Sequence, residues 1–568
     1  MPKFIFVVGG VMSGVGKGTV AASLGAVLHG KGYRVTAIKI DPYVNVDAGT
    51  MNPTEHGEVF VTDDGDETDQ DIGSYERFLN TSLGKVNYMT TGRVYQSVIA
   101  RERDLEYGGR CVEVVPHIPE EVLRRIDVCA KVARADIVLV EIGGTVGEYQ
   151  NILFLEAARL RKLERPNDVI TILVSYLPVP GHIGEMKTKP TQHATHLLQG
   201  VGIQPDIIIA RGEHSLDEPR RRKLSMFCNV RPEDVVAAPD VASIYEVPIA
   251  FDNAHVGERV LRKLGLRSRR SDLAPWRALV RTIHTVRQPV RIAIAGKYFS
   301  TGDFVLTDAY LSVIEAVKHA AWLQRRKPEL IWLNVEEYER NPDRLVELDE
   351  CQGLVVPGGF GTRGVEGKIA AIRYAREHGI PYFGLCYGMQ LACVEFARNV
   401  IGWRDAHTTE ITPRTKHPVI ALMEEQASRV AKSEYGGTMR LGAYACRIGA
   451  GTIAATAYQK STRLVRQYQG GDFIVRERHR HRYEFHNKYR DAFSRAGLVF
   501  SGVNPAPLFV QKWCGVNPER DLVEIVELPK DIHPFFVGVQ FHPEFTSRPL
   551  DPHPLFRAFI AAAMKKDK

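Results

Sequence analysis

Two doubly wound α/β domains in tandem are what this sequence predicts, on three observations. Short continuous apolar runs alternate with helix-length segments through both halves, the pattern of parallel strands buried on two faces. At 568 residues the chain is too long for one hydrophobic core. A polar, charge-rich stretch from Leu266 to Asp272 separates two such series. The division is therefore residues 1–265, a linker at 266–290, and a second domain at 291–568.

The first domain opens with the apolar run Phe4 to Val8, a buried strand. The glycine-rich stretch Gly9 to Thr19 follows and leads into a helical pattern from Val20 to Leu28. Successive backbone N–H groups in such a loop wrap phosphate oxygens, with Lys17 as the mobile countercharge. It departs from the standard P-loop: Gly18 follows the lysine and Thr19 comes one place later. Further strands are predicted at Arg34–Ile40, Asp136–Val140, Asp168–Leu173 and Asp206–Ile209. Ligands collect at the carboxyl ends of strands in these sheets, where Lys39, Asp41, Glu141 and Arg211 fall. Asp69 and Asp71 lie on an acidic loop that reads equally as a Mg²⁺ site or as solvated surface. Lys187-Thr188-Lys189-Pro190-Thr191-Gln192 and Arg220-Arg221-Arg222-Lys223 can hold a triphosphate and a polar base, although isolated lysine pairs are by default solvated.

The second domain repeats the pattern with strands at Arg291–Gly296, Glu329–Leu333, Gly353–Val356 and Pro381–Gly384, and helices over 308–321 and 366–377. Its centre is Gly384-Leu385-Cys386-Tyr387-Gly388-Met389-Gln390, a cysteine on a sharp turn between strand and helix. A helix N-terminus favours the thiolate, the nucleophilic form. Far downstream, after the strand-like 536–540, stands Phe541-His542-Pro543-Glu544. Cysteine, histidine and glutamate read as nucleophile, base and orienting carboxylate. Gly358-Gly359-Phe360-Gly361 allows the close backbone approach that an oxyanion hole requires.

The net charge of +7 suits anionic small substrates. A nucleic-acid partner needs a clustered basic stripe, and none is present. Eight scattered cysteines without a CxxC pair argue against a zinc site or disulfide framework and for a reducing cytoplasm. No stretch is long and apolar enough for a bilayer, and the opening strand is too short for a signal peptide.

The second half resembles the class I glutamine amidotransferases, whose thiolate attacks the glutamine amide and releases ammonia. Over the whole chain the sequence resembles the CTP synthase family. The resemblance is carried by Gly9 to Gly18, Lys39-Ile40-Asp41-Pro42-Tyr43, His56 to Val61, Glu141 to Gly147, Lys187 to Gln192, Gly436 to Gly442 and Glu477 to Glu484. It implies a P-loop-type synthetase domain followed by the amidotransferase. It also implies a cytoplasmic carbon–nitrogen ligase that phosphorylates O4 of UTP with ATP and then aminates C4. On matching positions, Gly14, Val15, Gly16, Lys17, Gly18 and Thr19 hold ATP, with Asp240 and Val241 at the adenine. Lys17 and Lys39 stabilise the transferred phosphoryl group, and Asp71 and Glu141 ligate Mg²⁺. UTP, or CTP as feedback inhibitor, takes Ser13, Glu148, Tyr149, Gln150, Lys187 to Gln192 (Lys187, Thr188, Lys189, Pro190, Thr191, Gln192) and Lys223. Glutamine takes Gly359, Tyr387, Gly388, Met389, Gln390, Glu410 and Arg482. His56 and Val59 match an ammonia gate, Arg363 to Glu366 a site for GTP as allosteric activator, and a homotetramer is implied.

Three departures stand out. Glu148-Tyr149-Gln150 replaces the usual Asp-Ile-Glu, so a carboxylate is lost at Gln150. The stretch Phe299 to Val305 is longer than usual, and Tyr387 stands where leucine is commoner. Two other readings remain open: another P-loop amidoligase fused to a glutaminase, such as a corrinoid-amidating enzyme, and a partitioning-type switch carrying an inactive glutaminase. Lys187 to Gln192 and Arg478 to Glu484 argue against the first, and intact Cys386, His542 and Glu544 against the second.

Overall fold

The computed structural model describes residues 1–182, 184–296, 300–301, 304–305, 308–423, 437–459, 461–468, 470–505 and 521–566. Two compact units emerge, Met1–Ala48 with Thr68–Arg281, and Gly49–Glu67 with Thr282–Lys568.

Seven parallel strands form the sheet of the first unit among the described residues: β1 (Lys3–Gly9), β2 (Val35–Asp41), β3 (Tyr88–Thr90), β4 (Ile137–Ile142), β5 (Val169–Tyr176), β6 (Ile207–Gly212) and β7 (Val235–Pro239), in the order β3-β2-β4-β1-β5-β6-β7. All but the first residue of β1 is buried, because helices cover both faces and leave no wet side. One face packs Phe4, Phe6, Val8, Ile38, Ile40, Val138 and Val140 into a single cluster. The chain winds to one side of β1 for β2 and β3 and to the other for β5 to β7. The crevice at the carboxyl end of β1 is thus the switch point. The helices that matter there are α1 (Lys17–Gly30), α2 (Gln70–Leu79), α3 (Lys189–Gly200) and α4 (Glu218–Cys228).

In the second unit ten strands form one sheet among the described residues: β8 (Pro289–Gly296), β9 (Lys327–Asn334), β10 (Gly353–Val356), β11 (Tyr382–Leu385), β12 (Arg440–Ile448), β13 (Arg466–Gln467), β14 (Phe473–His481), β15 (Val499–Asn504), β16 (Leu522–Glu527) and β17 (Phe536–Val539). The order is β9-β8-β10-β11-β17-β16-β15-β12-β14-β13. Pairing is parallel from β9 to β17 and antiparallel beyond it. The helix predicted over 308–321 is observed as Leu311–Leu323 after a 3₁₀ turn, and that over 366–377 as Val365–Glu377. The turn after β11 feeds the helix Tyr387–Phe396.

Two features differ from the sequence-based division. The linker range 266–290 carries a helix, Ala274–Thr285, which buries Trp276 and Leu279. Residues 49–67, assigned from sequence to the N-terminal domain, group with the C-terminal unit, for reasons that are electrostatic and apolar together. The Glu58 carboxylate accepts from the Ser312 N–H and hydroxyl at the start of the helix Leu311–Leu323. Arg478, buried on β14, donates to Asp63 and to the Val61 carbonyl, and Arg480 donates to Glu67. Phe60 packs on Phe545 with ring centroids 5.0 Å apart. Within the 299–305 insertion, Phe299 and residues 302–303 lie outside the described residues, while Ser300–Thr301 pairs with Phe304–Val305.

Candidate active sites

In the first unit the glycine-rich loop leaves the end of β1 through left-handed backbone at Gly14 (φ +69°) and Gly16 (φ +82°), conformations that side chains with a Cβ rarely adopt. Lys17 opens α1, and its Nζ donates to the Gly144 carbonyl at 2.8 Å. Burial pushes the Lys17 ammonium down, partly opposed by Glu141. A Cβ on Gly18 would collide with the Asp71 carboxylate, which explains the glycine after the lysine.

Lys39 and Glu141 stand side by side because β2 and β4 pair in register there. The Lys39 Nζ lies 3.0 Å from Glu141 Oε1 and 3.7 Å from Asp41, and it also pairs with Asp71. Burial works against the ammonium, but Asp71, Glu141 and Asp41 outweigh it and hold Lys39 well above its ordinary range. Asp71 is held low by Lys39 in spite of burial. Asp69 caps α2 by accepting from the Asp71 N–H, and burial with the adjacent Asp71 charge pushes it up. Burial also raises Glu141, to which the Tyr75 hydroxyl donates. One ammonium bridging Asp71 and Glu141 shows that their oxygens converge on a single cation. Such hard oxygen donors fit Mg²⁺.

Around this cluster, Arg211 donates to Asp240 at 2.8 Å and approaches Gly16, which brings Asp240, with Val241 beside it, towards the loop. Ser13 is exposed in that loop. Glu148 accepts from Thr145 and from Gln150, so the amide that replaces a carboxylate is tied to its neighbour, while Tyr149 is 97% exposed. The segment 187–192 divides in two. Thr188, Thr191 and Gln192 are buried, with Thr191 bonded to Ser175 at 2.8 Å and Gln192 to Thr188 at 3.0 Å. Lys187 pairs with Glu185, Lys189 lies over the Phe227 ring, and Pro190 occupies the first turn of α3. Lys223 is exposed on α4.

In the second unit Cys386 sits between β11 and the helix Tyr387–Phe396 at φ +49°, ψ −96°, a strained position for a residue with a Cβ. Its N–H bonds the Val539 carbonyl at 2.7 Å, which sets it beside the end of β17. His542 Nδ1 lies 2.7 Å from Glu544 Oε1, and the imidazole stacks on Phe545 at 4.9 Å. Burial pushes His542 down, but the Glu544 carboxylate and the Cys386 sulfur outweigh it and raise it to about 10. Gly358 fits against both partners: a Cβ there would stand 2.8 Å from His542 Cε1 and 3.8 Å from Cys386 Cβ.

These groups open on a cavity of about 510 Å³, lined among others by Gly359, Gln390, Glu410 and Arg482. Glu410 accepts from the Gly361 N–H, and Arg482 donates to Thr438. The Tyr387 and Met389 side chains are buried, the Tyr387 hydroxyl donates to the Gly361 carbonyl at 3.1 Å, and a Cβ on Gly388 would collide with the Val356 carbonyl. Of the gate pair, Val59 lines this cavity with Glu58, and His56 ends the short helix Pro53–His56.

Sequence reasoning missed Gln540, whose amide reaches the Cys386 sulfur, and a buried network behind the site. There Arg440 bridges Glu484 (2.9 Å) and Glu524 (2.7 Å), with His481 on Glu484 and His479 on Glu524. Burial raises Glu524 to about 7, whereas His481 and Arg440 hold Glu484 down at about 2.

Residues 3–266 match the family described as CTP synthase N-terminus, and residues 305–562 match glutamine amidotransferase class-I. Full-length relatives include proteins named CTP synthase. The chain is similar to one from Pelotomaculum thermopropionicum (49% identity over 568 residues, 100% of this chain and 99% of the relative). Others come from Pyrococcus abyssi (48%, 99% and 98%) and Nostoc punctiforme (48%, 99% and 97%).

Proposed function

The chain belongs to the CTP synthase family, and from that premise we propose how its residues divide the making of CTP from UTP, ATP and glutamine. The observation that carries this reading is the presence in one chain of two chemistries: a cysteine–histidine–glutamate set, and a lysine–carboxylate cluster at a phosphate loop.

In the synthetase unit Gly14 to Thr19 hold the ATP phosphates. O4 of UTP attacks the γ-phosphorus as the bond to the ADP oxygen breaks, and Lys17 and Lys39 stabilise the charge on the moving group. Asp71 and Glu141 hold Mg²⁺, which supplies charge neutralisation on the phosphates when bound. Asp240 and Val241 meet the adenine. Ammonia then attacks C4, and phosphate leaves with the O4 oxygen. Ser13, Glu148, Lys187 and Lys223 face UTP, while the inward-facing Thr191 and Gln192 brace the turn that presents them. CTP competes for the same groups as feedback inhibitor.

In the amidotransferase unit the Cys386 sulfur attacks the glutamine amide carbon. The C–N bond breaks as His542 gives its proton to the departing ammonia, leaving a thioester. Water then attacks with a proton passing to His542, and the S–C bond breaks to release glutamate. Glu544 holds the imidazole in place, Gly358–Phe360 offer backbone N–H groups to the oxyanion, and Arg482 takes the substrate carboxylate. Ammonia leaves past Val59 and His56, a covered exit that keeps it unprotonated. GTP activates at Arg363–Glu366, where Arg363 pairs with Glu336. The family resemblance alone supports a cytoplasmic homotetramer.

The decisive experiment incubates the protein with ATP, Mg²⁺, glutamine and either UTP or a corrinoid acid. CTP formation is the expected result. Amidation of the corrinoid without CTP would overturn the reading.

A further inference from the structure

The amide of Gln540 is wholly buried and lies at the one atom on which glutamine hydrolysis turns. Gln540 directly follows β17 and stands two residues before His542. Leu385 pairs with Val539 across the parallel ladder, which places the next residue, Cys386, beside Gln540. The Gln540 Nε2 stands 3.5 Å from Cys386 Sγ.

Which end of that amide meets the sulfur follows from a chain of contacts anchored on a backbone carbonyl. The side chain of Gln390 lies 2.7 Å from the Tyr483 carbonyl oxygen, which can only accept. The Gln390 end at Tyr483 is therefore its NH₂. The same NH₂ lies 3.3 Å from the Gln540 amide, so the Gln540 atom facing it is the oxygen. The remaining end, turned to Cys386, is the donor. Gln540 is wholly buried, and Gln390 and Cys386 are nearly so at the wall of the cavity.

We propose that Gln540 is a catalytic residue of glutamine hydrolysis, donating an N–H to the Cys386 sulfur, with Gln390 as the positioning residue that fixes its amide. This rests on Cys386 being the nucleophile. A thiolate is a strong acceptor and a thioester sulfur a weak one. The bond is therefore strongest before attack and again as the S–C bond breaks and the electron pair returns to sulfur. Gln540 favours the reactive form of the thiol and assists its departure, from the neighbouring position two residues before the imidazole.

The test measures iodoacetamide alkylation of Cys386 against pH, and glutamine hydrolysis, in the full-length protein. Gln540→Met keeps the length and removes the donor; Gln540→Glu keeps the shape and replaces the donor with an oxygen. Both are expected to slow alkylation at neutral pH about tenfold, the worth of one charge-assisted hydrogen bond. The alkylation profile should move to higher pH, and kcat should fall with KM for glutamine changed less than about threefold. Gln390→Met should move the profile in the same direction by less. A Gln540 variant that melts like the wild type and is alkylated at the wild-type rate would overturn the proposal. So would a loss confined to KM. If one Gln540 variant fails to fold, the other and Gln390→Met carry the same comparison. Cys386→Ala separates the two levels: persistent hydrolysis there would remove the nucleophile itself, whereas its loss beside an unaffected Gln540→Met would remove only the role of Gln540.

Discussion

His542 carries the clearest pH signature at the level of single residues. Its pKa is raised to about 10 against the pull of burial, so its proton is present at neutral pH and is lost as pH rises through about 10. Glutamine hydrolysis needs that proton for the leaving ammonia, so the alkaline limb of kcat/KM should fall near pH 10. Glu544→Gln removes the largest raising influence, and the limb should move to lower pH, read from initial rates between pH 7 and 10.5. Lys17→Ala should abolish CTP formation from both glutamine and ammonium, while glutamine hydrolysis persists. Formation of CTP in that variant, followed chromatographically, would count against the loop as the ATP site. These residues were legible in the sequence because each motif is local: a glycine-rich turn before a helix, or histidine and glutamate two apart. Gln540 was not, because its meaning depends on Cys386 and Gln390, each some 150 residues away in the chain.

Secondary-structure elements were readable where burial was uniform, and unreadable where charge was hidden. The parallel strands announced themselves as apolar runs, β1 and β4 among them. The stretch Arg476 to Arg482 read as a short basic run, yet Glu477, Arg478 and His479 on β14 are fully buried. Their partners, Asp63, Tyr458, His553 and Glu524, are distant in sequence, so nothing local signals that the charges are matched. The helix Leu311–Leu323 shows the same dependence, since Glu58 supplies the acceptor for its first turn. Glu58→Ala should cost the second unit about 1–2 kcal/mol, as removal of a helix cap does. Its urea midpoint would report this, and Glu58→Gln should recover part of the loss. Gly18→Ala should impair ATP use more than a helix-favouring substitution would suggest, because the added methyl meets Asp71. An unchanged KM for ATP and an unchanged rate would count against that packing.

Across the molecule, the division of labour makes nitrogen supply separable from nitrogen use. Cys386→Ala should lose glutamine-dependent CTP synthesis while keeping synthesis from added ammonium. The ammonium-dependent rate should climb from pH 7 to 9 as free ammonia replaces its conjugate acid. The two-domain α/β plan was legible from length and the recurrence of apolar runs. The allegiance of residues 49–67 was not, because the contacts that decide it are made with partners around Ser312 and Arg478 to Arg480.

That allegiance bears on how the gene can be cut. An excised fragment starting at Thr282 would retain cysteine, histidine and glutamate but forfeit the Gly49–Val59 side of its own reaction chamber. Such a fragment should still split glutamine yet spill its product into bulk water. Any chimera that grafts this amidotransferase onto a new acceptor enzyme must therefore transplant two non-contiguous pieces of coding sequence.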